Sequence, residues 1–179
     1  LNNFFYGIQL MSGRLRKGDW IECDGIRGKV DSINYQSTQI VASDDSLMAF
    51  PNASLFNKNF KNLTRSGTYE LLSFDVGVKY GVDVNEVRTI IQEALEPLRT
   101  KDKYGHDIVK PDPGILVRFK DFGDNSVNLS VYQYIVVDEH YRYPAKAKEL
   151  IYNALNIHGI EIPFPQRDLY IKSIPEKKD

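Results

Sequence analysis

One cysteine, Cys23, stands among 179 residues, so no internal disulfide can form and a secreted disulfide scaffold is excluded. Neither sign of charge is in excess. Twenty-three basic and 24 acidic side chains leave a net charge of −1, too little for a protein whose affinity rests on neutralising many phosphates. Dividing the chain near residue 66 gives 8 basic and 6 acidic residues before it and 15 and 18 after it, so neither part is a basic module. The sequence has no His-Glu-x-x-His, no paired cysteines, no Gly-x-Ser-x-Gly elbow and no glycine-rich loop ending in Lys-Ser or Lys-Thr. His106, His140 and His158 are far apart, and acidic pairs such as Asp44-Asp45 and Asp138-Glu139 have the look of solvated turns. No catalytic residue, metal site or cofactor is expected. Nor is any apolar run long enough to cross a bilayer, which takes about 20 residues.

What the chain does have is enough apolar material, 42% of its residues, for one large domain or two small ones. Residues 1–13 carry no charge, and Leu1, Phe4, Phe5, Ile8 and Met11 fall on one helical face. As a helix they would cover only about 20 Å of the roughly 30 Å hydrocarbon thickness. The stretch ends in Arg14, Arg16 and Lys17, the kind of basic cluster found where a membrane segment emerges on its cytoplasmic side. An amphipathic helix packed on a soluble core has the same pattern. The chain opens on Leu1 with no basic n-region, so a preceding segment is expected and a signal peptide is not.

From residue 18 to 63 short strands alternate with turn formers and no helical period appears, which predicts a small β-barrel or sandwich. Gly18 to Cys23 and Arg27 to Ile33 are strands around the Asp24-Gly25 turn. Thr38 to Ala42 and Ser46 to Phe50 follow, Pro51-Asn52 stops the ladder, and a last strand is expected around Phe56 to Leu63. Gly28 suits a sharply bent strand or a close approach by another.

The second part has a different rhythm. Leu72, Phe74, Val76, Val78 and Tyr80 alternate with small or polar residues, as in a half-buried strand. Asp83 with Glu86 reads as a capping box opening a helix that carries Val87, Ile90, Ile91, Ala94, Leu95 and Leu98. Ile115 to Lys120 and Val127 to Ile135 read as a hairpin. Pro144 fits the first turn of a second helix, with Gly159 just past its end. Residues 160–165 are too proline-rich for a central strand, and Leu169 to Ile171 supplies a final one. The order β-α-β-β-α-β is that of a ferredoxin-like domain. Tyr132 and Tyr134 could stack bases, but the strand that bears them lacks the ribonucleoprotein motif, and alternate tyrosines also pack against neighbours.

Three collinear segments resemble the small-conductance mechanosensitive channel family. Leu1-Asn2-Asn3-Phe4-Phe5-Tyr6-Gly7-Ile8 is similar to the end of that family's pore helix. Gly18-Asp19-Trp20-Ile21, Gly28-Lys29-Val30, Ile33, Thr38, Pro51-Asn52-Ala53 and Asn62-Leu63-Thr64-Arg65 resemble its β domain. Gly159 to Gln166, with Pro163, Phe164, Pro165 and Gln166, resembles the junction before its last strand. Ala49 and Phe50 depart from the β-branched pair expected before Pro51.

The resemblance implies an α+β chain: an N-terminal helix, a small bent five-stranded Sm-like β-barrel, and a ferredoxin-like α/β domain with a C-terminal strand. The corresponding divisions are 1–13, 14–66, 67–165 and 166–179. It further implies a homoheptamer of the bacterial inner membrane, anchored through upstream helices, that opens under bilayer tension and releases ions and small osmolytes. This part would be the vestibule facing the cytoplasm. On that reading Gly7 is a flexure point, Phe4, Phe5 and Ile8 form an apolar face toward lipid or a pore helix, and Arg14, Arg16 and Lys17 lie near headgroups. The alternative is a soluble ring-forming Sm-like protein that binds RNA.

Overall fold

A computed structural model describes residues 2–64 and 67–165. The chain opens with helix α1 (Asn2–Gln9), which runs into an irregular turn at Leu10–Arg14. The break falls at Gly13, whose φ of 154° is one that residues with a Cβ rarely adopt. Leu15 then leaves in extended conformation, its amide closing on the Leu10 carbonyl at 2.9 Å.

Five strands follow as one antiparallel sheet: β1 (Trp20–Cys23), β2 (Ile26–Ile33), β3 (Ser37–Ala42), β4 (Leu47–Pro51) and β5 (Phe60–Asn62). Their order is β4-β3-β2-β1-β5. Alternation puts Ile21, Cys23, Val30 and Ile40 on the inner face, where they meet Leu10 and Leu15 from the N-terminal segment. Burial pushes the Cys23 thiol up, so it packs as a small apolar side chain. Gly28 lets β3 come close, since a Cβ there would stand 2.4 Å from Ile40 Cγ2 and 2.8 Å from the Val41 carbonyl oxygen.

The expected strand from Phe56 needs correction. Asn52–Asn57 form a short helix, α2, and β5 does not begin until Phe60. Pro51, at φ −53°, ends β4 and occupies the position before the first helical turn, where its lack of an N–H removes no intrahelical bond. One turn further on, Leu55 drops fully buried into the core.

The second unit has β6 (Tyr69–Val78), α3 (Val84–Leu95), β7 (Leu116–Phe122), β8 (Val127–Val136) and α4 (Arg142–Ile157). Its antiparallel sheet has the order β6-β8-β7. Leu129, Val131 and Ile135 of β8 pack against Val87, Ile91 and Leu95 of α3 and Ala147, Ile151 and Leu155 of α4. The Asp83 carboxylate caps α3 as expected, accepting from the amides of Asn85 (2.8 Å) and Glu86 (3.4 Å). At the end of α4 the amides of Gly159 and Ile160 close on the carbonyls of Asn156 (3.1 Å) and Leu155 (2.9 Å), a Schellman ending. Residues 161–165 form no helix or strand, and the expected strand Leu169 to Ile171 lies outside the described residues.

Gly28→Ala should destabilise the β domain by about 1–3 kcal/mol, because β3 must retreat from a well-packed ladder. Urea unfolding of this variant beside the parent checks the expectation.

Candidate functional site

The helix α1 is amphipathic, and its two faces meet different surroundings. Asn3, Gly7 and Leu10 recur at helical spacing and turn inward, whereas Phe4, Phe5, Ile8 and Met11 remain 43–55% exposed. Phe4 stacks on the exposed ring of Tyr35 at 5.6 Å, and Tyr6 lies 4.8 Å from Phe56.

The inward face rests on Asn52, the first residue of α2, which is completely buried. Its Nδ2 donates to the carbonyls of Asn34 (2.8 Å) and Asn3 (3.2 Å), while its Oδ1 accepts from Thr38 Oγ1 (2.9 Å). Its own amide donates to the Gln36 carbonyl at 3.0 Å. Asn3 replies, accepting on Oδ1 from the amide of Ala53 at 2.9 Å. Gly7 permits this approach. A Cβ on Gly7 would come within 2.6 Å of Asn52 Nδ2 and 3.4 Å of the Asn34 carbonyl. A single amide thus ties α1, the β2–β3 turn, β3 and α2 together.

The exit from α1 is tied down as well. Asp19 Oδ2 accepts from the amide of Arg16 (2.9 Å) and from Asn62 Nδ2 (2.8 Å), and Thr64 Oγ1 donates to Asp19 Oδ1 at 3.3 Å. Asn62 Nδ2 also reaches the Arg14 carbonyl at 3.1 Å. The Gly18-Asp19 and Asn62-Leu63-Thr64 segments therefore meet as one knot at the start of β1. Arg14, Arg16 and Lys17 are all exposed. Arg14 is folded back, with Nη1 donating to the Phe56 carbonyl at 3.2 Å and the guanidinium 4.5 Å over the Phe56 ring.

Of the residues named from sequence, the fold gathers Gly7, Pro51 and Asn52 at the α1 seat and Asp19 at the knot. Gly28 lies within the β sheet. Pro163, Phe164 and Pro165 lie apart from both, after α4, where Phe164 is 84% exposed and the Glu161 carbonyl accepts from the Lys79 amide at 3.0 Å. Gln166 is outside the described residues. Asn3, Asn34 and Thr38 belong to the seat but were not singled out as site residues. They reach Asn52 from three different places, Asn3 from α1, Asn34 from the β2–β3 turn and Thr38 from β3, where it lies opposite Phe50.

The Asp75–Lys120 pair, in the second unit, lies at the surface. The Asp75 carboxyl lies below its ordinary range because Lys120 Nζ donates to Oδ2 and Ser130 Oγ to Oδ1, each at 2.5 Å, and these outweigh desolvation. Among the described residues no three His, Cys, Asp or Glu side chains gather as a metal would need, and no helix is long and apolar enough to cross a membrane.

With this geometry in place, comparison with known proteins is decisive. Residues 1–65 match the model of the mechanosensitive ion channel β-domain, and residues 72–162 match that of the MscS mechanosensitive ion channel C-terminal region. The chain belongs to the MscS family of mechanosensitive ion channels. That is a family of channels, not of enzymes. The small-conductance mechanosensitive channel of Helicobacter pylori is 29% identical over 164 residues, covering 91% of this chain and 57% of that protein. The large-conductance mechanosensitive channel MscMJLR of Methanocaldococcus jannaschii is 30% identical, covering 96% of this chain and 48% of its own. The crystal structure of H. pylori MscS in its closed state superposes with a TM-score of 0.77 at 28% identity, over 96% of this chain and 65% of that one. The chain thus spans about half the length of these curated relatives.

Two outcomes follow from the geometry. Asn52→Ala strands the Thr38 hydroxyl and the Asn34 carbonyl, so it should cost about 1–3 kcal/mol and speed amide exchange across α1, read by urea unfolding and hydrogen exchange. Because Asp75 is held below its unfolded value, its contribution is complete above the ordinary carboxylate pKa of about 3.9 and fades as pH falls through the lower folded value. Asp75→Asn should therefore lower the melting temperature at neutral pH and shrink the acid-side loss. The exposed position of the pair keeps both effects small.

Proposed function

We propose that this chain is the cytoplasm-facing vestibule of a homoheptameric channel of the bacterial inner membrane that opens under bilayer tension and releases ions and small osmolytes. The single observation that carries this reading is the two-faced α1. Its inward side is seated on Asn52 through Asn3 and Gly7, and its outward side offers Phe4, Phe5, Ile8 and Met11 to apolar surroundings. A helix so placed joins a membrane segment to the β domain.

The parts then divide at 1–13 for the end of the pore helix, 14–66 for the Sm-like β domain, 67–165 for the ferredoxin-like domain and 166–179 for the C-terminal strand and tail. Support for the ferredoxin-like assignment comes from the sheet order β6-β8-β7, which leaves β6 as an edge where a fourth strand belongs. The connector carrying Pro163, Phe164, Pro165 and Gln166 would lead to that strand. An Sm-like ring is supported by the order β4-β3-β2-β1-β5, with β4 and β5 as edges available to neighbouring subunits.

Tension shifts the closed–open equilibrium only as far as the two states differ in their coupling to it. Here α1 is the moving part, Gly7 the place where it bends or slides on Asn52, and Gly13 the turn through which it passes into the β domain. Arg14, Arg16 and Lys17 lie near anionic headgroups, each worth about 1 kcal/mol at a membrane surface when free to reach it. The vestibule screens solutes by size and charge. An RNA-binding ring has no comparable support in this geometry.

The test uses the whole protein. In patched membranes, Gly7→Ala and Asn52→Ala should shift the tension threshold or the recovery after opening, and should change survival of hypo-osmotic shock. Parent-like currents and survival in both variants would overturn the gating role given to α1, and no tension-gated current from the whole protein would overturn the channel.

A further inference from the structure

The two units meet through polar side chains of an unusual kind. From β2 of the first unit, Arg27 grips Glu70 of β6 with both prongs, Nη1 donating to Oε2 at 2.8 Å and Nη2 to Oε1. Both side chains are nearly closed off, at 11% and 10% exposure. Glu70 Oε1 also meets His140 Nδ1 at 2.9 Å. Beside this pair the Trp20 indole donates from Nε1 to Asp138 Oδ1 at 2.6 Å, and Lys29 Nζ reaches the same oxygen at 3.3 Å. The Arg27 guanidinium lies 5.4 Å over the Trp20 ring, which binds the two contacts into one cluster.

Register explains why three side chains point the same way. Trp20 lies opposite Lys29, and Arg27 is two residues before Lys29, so all three project from one face of the β1–β2 pair. The other face of the same strands supplies Ile21, Cys23 and Val30 to the core. On the far side, Glu70 sits at the start of β6, and Asp138 and His140 immediately precede α4.

Stability alone does not account for such a cluster. Burying an arginine and a carboxylate costs desolvation that their attraction only partly offsets, and Arg27 Nε is buried with no hydrogen-bond partner among the described residues. What a two-pronged pair supplies, and a smooth apolar contact does not, is a fixed orientation. An apolar seam tolerates sliding. Here displacement by even an ångström would break the fork and the indole bond together, while His140 holds Glu70 from within its own unit. The cluster also begins one residue after the Asp19 knot that fastens the exit of α1. A continuous line of bonded groups therefore runs from α1 through Asp19 and Trp20 into the second unit.

We propose that Trp20, Arg27 and Lys29 close with Glu70, Asp138 and His140 into a clasp that makes the β domain and the second unit one rigid body, so that motion of α1 is delivered to both. The value of this coupling to a channel rests on the function proposed above, but the clasp itself is testable without any current.

Spin labels at Lys61→Cys and Asn153→Cys, both exposed, report the distance between the units. Cys23 is buried and stays unlabelled. The measurement is made on the whole protein, with labelled subunits diluted into unlabelled ones. The native clasp should give one narrow distance distribution. Trp20→Phe combined with Glu70→Gln keeps an aromatic ring at position 20 and the side-chain size at position 70 but removes the indole donor and the charge, and should broaden the distribution at least twofold. Glu70→Gln alone should broaden it less, and serves if the double variant does not fold. Lys101→Gln, which breaks a pair lying wholly within the second unit, should leave the width unchanged. A native width in every clasp variant that folds would overturn the clasp. A protein that shows the broadening yet gives no tension-gated current would retire the channel proposal and keep the clasp.

Discussion

Much of the N-terminal half depends on one buried amide. Asn52 has a single side chain with two donors and an acceptor, and all of them are used inside the protein. A buried polar group without partners costs more than its hydrogen bonds return, so each bonded neighbour is constrained by the others. Thr38 fixes the amide's orientation, Asn34 fixes its depth, and Asn3 gains a place only if α1 lies where Gly7 allows. The position of α1 is set by hydrogen bonding and a missing Cβ more than by apolar contact, since its largest side chains face outward.

That arrangement gives the helix a seat with a sharply limited depth. Apolar packing weakens gradually as surfaces separate, whereas a hydrogen-bonded seat at contact distance has little intermediate ground. The knot at Asp19 behaves similarly, with its carboxylate accepting from the Arg16 amide and from two side chains at and just after the end of β5. The β domain is held to the helix on one side and to the second unit on the other by directional bonds, while its interior is held by Ile21, Val30, Ile40 and Leu55.

How far the sequence could be read depends on how local each determinant is. The alternation in Leu72 to Val78, the Asp83 cap and the Gly159 ending are written in neighbouring residues, and the elements they mark formed as expected. Helix α2 was not legible, because its six residues follow a strand-ending proline and carry no full helical period. Its formation answers to the pocket that takes Leu55. Gly7, Thr38 and Asn52 were recognisable through family resemblance, but Asn34 in the β2–β3 turn joins Thr38 in the same seat only through the tertiary fold. The Arg27, Glu70 and His140 cluster was invisible for the same reason. In sequence these residues look like ordinary surface charges separated by dozens of positions.

Arg14 gives the basic stretch after α1 an asymmetry. Its guanidinium is committed to the Phe56 carbonyl and ring, so its charge is held against α2 while Arg16 and Lys17 stay outward. A lysine at position 14 would conserve the formal charge but lose the flat surface that lies on an aromatic ring. Three neighbouring cations thus divide into a bracket that pins the helix exit and a pair of arms turned to solvent.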